Sequence, residues 1–260
     1  MNADSLFEEV GFAYEYRSES EAFYRPYFED ETALFGFFQD VFRNDSFDKR
    51  PRWIMNDIVR FVTLANDIEK IRPGRDPLRI LFFRICLEAI CKDSGSSAKD
   101  FYKTFDTFFS EEGEDYILSN FTFSEIYEPD DLTGIEQSLF NDHSDYQLTL
   151  QDFMNVIKAT RNMVAHDGDY WSMQFFARDN DSTWLTDITT KKQIISCQLG
   201  GQDLTYGFHT TMQYEKFEYY FVEACINYLK DYIKKKNYDT SPDAETRKAD
   251  WFDFKALFGE

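Results

Sequence analysis

Apolar positions recur mostly at three- and four-residue spacing, a pattern that predicts helices through most of the chain. One stretch organises the rest: Leu148 to Trp171, LTLQDFMNVIKATRNMVAHDGDYW. Phe153, Val156, Ile157, Met163 and Val164, with Thr160 among them, fall on one side of a helix. Arg161, Asn162 and His166 fall on its polar flank. Asn162 and His166 are four apart and share a face; Arg161 and His166 are five apart and border the same groove. Thr149 followed by Asp152 reads as a capping start, and Gly168 as the stop.

Upstream, Glu31 to Phe42 predicts a helix with Leu34, Phe35, Phe38 and Phe42 on one face. Ile54 to Ile71 follows, striped by Ile54, Ile58, Phe61, Val62, Ala65 and Ile68. Arg72 to Pro77 is a turn of the kind that joins antiparallel helices. The helix beyond it, Leu78 to Lys92, is apolar on most sides and is expected to be the most buried. Arg84 and Glu88 lie in its middle at i,i+4 spacing. They form either an intrahelical ion pair or a charged pair turned toward the motif helix.

Ala98 to Phe109, with four phenylalanines, predicts a third helix. Glu111 to Asp145 is acidic and punctuated by Pro129 and Gly134, and reads as short helical pieces in an exposed connection; His143 within it reads as a solvated loop residue. After the motif, Ser172 to Tyr214 changes texture. Trp184 to Ile188, Lys192 to Leu199 and the pair Gly200-Gly201 predict a small strand insertion, with His209 at its far edge assigned no role. Tyr214 to Lys236 is the final long helix, with Phe217, Phe221, Ala224, Cys225, Tyr228, Leu229 and Tyr232 inward and three lysines at the negative end of its dipole.

The fold class this implies is mostly α: an antiparallel helical bundle with a small β insertion before the last long helix. Residues 1–50 form an acidic, aromatic N-terminal cap. Residues 51–236 form the helical domain, with an acidic connection at about 111–147 and the β insertion at about 172–213. Residues 237–260 are a C-terminal tail carrying Trp251, Phe252, Phe254, Leu257 and Phe258.

Charge changes this picture in one respect. A net charge of −20 argues against a nucleic-acid partner, but the acid is unevenly spread. Residues 1–50 carry 12 acidic and five basic side chains, and residues 101–148 carry 12 acidic and one basic. Residues 51–92 carry five acidic and eight basic, and residues 149–178 three of each. The surroundings of the motif therefore permit an anionic ligand. Cys86, Cys91, Cys197 and Cys225 show no paired spacing and read as reduced core residues. No cofactor and no metal site are expected: there is no Gly-rich phosphate loop, no HExxH and no GxSxG, and only three histidines, dispersed. The acidic N-terminus lacks a signal-peptide pattern and no run is long enough to span a bilayer, so a cytoplasmic protein is the expectation.

With Arg161-Asn162-Met163-Val164-Ala165-His166 set behind a helix pair and ahead of a long closing helix, the chain resembles the HEPN superfamily. That family is marked by an Arg, four to six residues and a His, often with a polar residue after the Arg. The resemblance covers roughly residues 54–93 and 149–236. It implies a HEPN-like bundle and a metal-independent endoribonuclease, commonly of toxin–antitoxin or phage-defence systems, with RNA as substrate. Arg161, Asn162 and His166 would then be catalytic, with Arg84, Glu88 and Tyr170 in support. Tyr170 stands four residues after the His, where a subset of the family has a Tyr two after.

The chemistry suits these side chains. RNA cleavage by its own 2′-hydroxyl needs a base, an acid and positive charge on the phosphorane. An imidazole can be base or acid, a guanidinium fork suits phosphate oxygens, and Asn162 can orient His166 or donate to phosphate. One His cannot easily be both acid and base, so a homodimer with a composite site is expected, with a cognate antitoxin or other protein as a further partner. Two other readings stand beside it: a non-catalytic HEPN-fold module binding a protein or nucleotide, favoured by the acidic surface, and an acidic interaction protein that merely contains such a helix.

Overall fold

The computed structural model describes residues 19–43, 48–91, 104–127, 149–168, 173–175, 193–199 and 202–236. The fold is mostly helical. Its helices are α1 (Glu31–Phe42), α2 (Arg50–Ile71), α3 (Asp76–Cys91), α4 (Glu111–Ser119), α5 (Leu150–Asn162) and α6 (Tyr214–Lys235). Single 3-10 turns stand at Arg25–Tyr27 and Phe105–Phe108. Among the described residues no helix is long and apolar enough to cross a membrane.

The starts of these helices follow from local chemistry. Asp30 accepts from the Ala33 N–H at 2.8 Å to cap α1, and Ser110 caps α4 through Gly113. Pro51 sits in the first turn of α2, where its missing N–H costs nothing. The link between α2 and α3 turns at Gly74, whose φ of 69° falls where side chains with a Cβ are strained. These two helices form the antiparallel pair, and α3 packs on α5 as well as on α2.

Aromatic rings bind the layers. Phe83 of α3 lies 4.6 Å from Phe221 and 5.3 Å from Phe217, both on α6. Phe217 reaches Phe153 of α5 at 5.9 Å, and Phe153 reaches Phe121 at 5.5 Å. Rings of this size, fully buried, contribute the larger part of the hydrophobic driving force. The N-terminal segment joins this core through Tyr24, whose hydroxyl donates to the Met55 carbonyl at 2.7 Å.

Three expectations are corrected. In α1 the buried face is Leu34, Phe37 and Val41, while Phe35 is 49% exposed. Phe37 is drawn inward by Tyr24 and Phe28, at 5.4 and 5.1 Å, which the helix's own spacing does not reveal. Second, the acidic connection is not helical pieces alone. After α4 comes strand β1 (Phe121–Tyr127). It pairs antiparallel with β3 (Gln202–Thr210), which also pairs antiparallel with β2 (Gln193–Leu199), giving the order β1-β3-β2. The sheet therefore draws one strand from before the motif helix and is not a self-contained insertion after it. Third, Phe105–Phe108 is a 3-10 turn where the end of a third helix is expected; residues 98–103 of that segment, like 128–148, Trp184 to Ile188 and the tail from 237, lie outside the described residues.

Candidate functional site

The site is built on α5. Its start is a reciprocal capping box: Thr149 Oγ1 accepts from the Asp152 N–H at 3.2 Å, and Asp152 Oδ2 accepts from the Thr149 N–H at 3.0 Å. From there Leu150, Phe153, Met154, Val156, Ile157, Ala159 and Thr160 are buried against α3 and β2. Lys158, Asn162, Ala165 and His166 are exposed along the opposite side.

The helix does not end as an ordinary α-helix. Met163–Asp167 form a π-helical turn, closed by the Gly168 N–H donating to the Met163 carbonyl. Gly168, at φ 66°, then takes the left-handed conformation that stops the helix. A π turn holds one more residue per hydrogen-bonded loop than an α turn, so each residue within it advances less around the axis. His166 is thereby carried less far round from Arg161 than five residues of α-helix would take it.

Arg161 lies between the exposed and buried sides, with its side chain 28% exposed. Its Nη1 donates to Asn162 Oδ1 at 3.1 Å, and its Nη2 stands 3.7 Å from Glu88 Oε1 on α3. The same carboxylate oxygen stands 3.4 Å from Arg84 Nε, and the Arg84 side chain is 7% exposed. Both alternatives for the Arg84–Glu88 pair are therefore realised at once: Glu88 closes an intrahelical pair and also reaches the motif. Burial pushes the Arg84 guanidinium down to about 10; the Glu88 carboxylate opposes that shift, and the like charge of Arg161 adds to it. At about 10 the Arg84 guanidinium remains charged at neutral pH.

The chain matches no protein-family model, no curated protein and no solved structure.

The structure brings Arg161, Asn162, Arg84 and Glu88 into contact and leaves His166 solvent-accessible on the following turn. Tyr170 and His143 lie outside the described residues. Cys86, Cys91 and Cys225 are buried free thiols, and burial pushes the Cys91 thiol up, away from nucleophilic use.

Two features escape a reading of the sequence. Lys158 extends the polar side of α5 one turn back from Asn162; the signal available is its i,i+4 spacing, the same spacing that joins Asn162 to His166. The second is a polar cluster under the segment that follows the motif. Asp76 accepts from the Phe175 N–H at 2.8 Å and pairs with Arg79 at 3.2 Å. Arg79 lies 2.9 Å over the Tyr214 ring, and the Tyr214 hydroxyl donates to Asn66 Oδ1 at 2.6 Å. Burial pushes the Asp76 carboxyl up to about 6, against the pull of Arg79 and the Phe175 N–H. No local pattern announces it, because its members come from α2, α3, α6 and a three-residue segment.

Proposed function

We propose that this chain is a metal-independent endoribonuclease of HEPN type, acting in the cytoplasm in a toxin–antitoxin or phage-defence setting. The observation that carries the reading is the half-buried Arg161 guanidinium, tethered from α3 by Glu88, beside the exposed Asn162 and His166 at a π-helical end. π turns inside helices occur disproportionately at functional sites.

In the proposed reaction the 2′-oxygen of a ribose attacks the adjacent phosphorus. An imidazole removes the 2′-hydroxyl proton as the new O–P bond forms. The P–O5′ bond breaks, and a second, protonated imidazole gives its proton to the leaving 5′-oxygen. The products are a 2′,3′-cyclic phosphate and a 5′-hydroxyl. Arg161 supports the charge gathering on the non-bridging oxygens, and Asn162 orients His166 or donates to phosphate. Glu88, held by Arg84, positions Arg161. The second imidazole comes from a second copy, which makes the functional unit a homodimer with a composite site. A cognate antitoxin or another protein partner would control access to it.

The test is cleavage of RNA in EDTA by wild type and His166→Ala. Chelator-resistant cleavage that vanishes in the variant supports the reading; equal or absent cleavage in both defeats it. One observation favours a second reading, a non-cutting module that binds a protein or nucleotide. The Arg161 nitrogens Nη1 and Nη2 are directed to partners within the chain, Asn162 and Glu88, as in a structural ion pair. Absent cleavage in both proteins selects that reading.

A further inference from the structure

Arg161 has donors to spare. Among the described residues its guanidinium makes a single hydrogen bond, from Nη1 to Asn162, and its Nε is buried with no acceptor. Glu88 Oε1, 3.7 Å from Nη2, lies beyond hydrogen-bond reach and acts as a neighbouring charge, not as an acceptor. Most N–H groups of the fork are therefore open to an anion.

Glu88 cannot move aside when an anion arrives. Arg84 Nε stands 3.4 Å from the same carboxylate oxygen, one turn away on α3. The Arg84 side chain is deeply buried, and a guanidinium packed so closely keeps its place. It thereby holds the carboxylate on the side of α3 that meets α5. Glu88 is itself partly exposed, within reach of whatever binds Arg161.

An anion that takes Arg161 Nη2 comes within about 7 Å of this carboxylate. That is inside the screening length of about 8 Å at physiological salt, and a partly buried pair is screened less. A phosphodiester within a chain carries one negative charge, whereas a terminal phosphate carries roughly two at neutral pH. Attraction to the guanidinium groups grows in proportion to that charge, while the cost of stripping water from the anion grows with its square. Glu88 cancels part of the attraction and none of the cost. The doubly charged group is the one that loses.

We propose that Glu88 is a charge filter: the Arg161 site takes a singly charged phosphodiester and turns away doubly charged terminal phosphates. Glu88 is then the specificity-determining residue, and Arg84 the positioning residue that holds it. The filter rests on the nuclease reading in taking a phosphate as the ligand of Arg161. Within that reading it makes the internal links of a chain the substrate, and keeps chain ends and free nucleotides out. Such specificity comes from a repulsive element as much as from an attractive one.

NMR titration of the full chain tests it, following the Arg161 Nε–H resonance, which is assigned by its loss in Arg161→Lys. One probe is a 2′-deoxy dinucleoside monophosphate, with a single diester, no terminal phosphate and no 2′-hydroxyl. The other is the matching deoxynucleoside 3′-phosphate. Wild type is expected to bind the diester at least about fivefold more tightly at neutral pH. In Glu88→Gln the order reverses, the terminal phosphate gaining about tenfold. Glu88→Asp, which keeps the charge, keeps the wild-type order; a reversal there too would mean that shape decides, and overturns the proposal. So would a wild type that prefers the terminal phosphate, an order unchanged in Glu88→Gln, or an Arg161 resonance moved by neither probe. Neither probe can be cut, so binding is read apart from cleavage. RNA left intact in EDTA beside a preference for the diester defeats the nuclease and keeps the filter; cleavage without that preference does the reverse.

Discussion

Glu88 on α3 stands 3.7 Å from Arg161 on α5 and 3.4 Å from Arg84 one turn earlier on its own helix, so one carboxylate serves two guanidinium groups. Removing it leaves two like charges facing each other, one of them on a side chain 7% exposed. Glu88→Ala is therefore expected to destabilise the fold by about 1–3 kcal/mol, less than for a fully buried pair because Glu88 is 35% exposed. Glu88→Gln, which keeps an acceptor, should lose less. Urea denaturation of the three proteins measures this; a Glu88→Ala variant as stable as wild type would mean the carboxylate holds neither arginine.

Arg161→Lys separates charge from geometry. A lysine keeps the positive charge but offers no planar fork to Asn162 and to a phosphate at once. If Arg161 acts on phosphorane oxygens, cleavage should fall by about tenfold or more, with the melting temperature within a few degrees of wild type. Single-turnover cleavage with and without EDTA measures this. Undiminished cleavage would take Arg161 out of the chemistry.

Gly168 ends the motif at φ 66°, and a Cβ there would meet nothing within 4 Å. Gly168→Ala therefore tests backbone strain without steric clash. The expected loss is roughly 1 kcal/mol in urea denaturation, from forcing a side chain into the left-handed region. Any larger change in cleavage than in stability would show that the π turn sets the placement of His166.

Most helices were legible in the sequence because their signals are local. The span Glu31–Phe42, the capping box at Thr149 and Asp152 and the stop at Gly168 each depend on residues a few positions apart. What was hidden depends on distant partners. Phe121–Tyr127 sits in an acidic run, and its pairing strand begins at Gln202. The burial of Phe37 in place of Phe35 is decided by Tyr24 and Phe28, since α1 is aromatic on more than one side. Of the candidate site, Arg161, Asn162 and His166 were readable from spacing, whereas the π turn and the reach of Glu88 across to α5 were not. Hydrogen bonding that shifts by one residue leaves no mark on apolar periodicity.

The buried Asp76 carries a pH dependence whose sign can be worked out. Its pKa in the fold, raised to about 6 chiefly by burial, exceeds the ordinary aspartate value of 3.8. Protonation is thus favoured in the folded state, so the contribution is fully present below pH 4 and is lost as pH rises through 6. Facing it are Arg79 and the Phe175 N–H, which hold the shift down, and Glu69, which adds to it. Asp76→Asn keeps an acceptor for Phe175 and cannot titrate. The expected outcome is that wild type loses stability relative to this variant between pH 4 and pH 7, by up to ~3 kcal/mol. Urea midpoints of both proteins across that window test it, and a constant difference would mean that Arg79 keeps Asp76 ionised throughout.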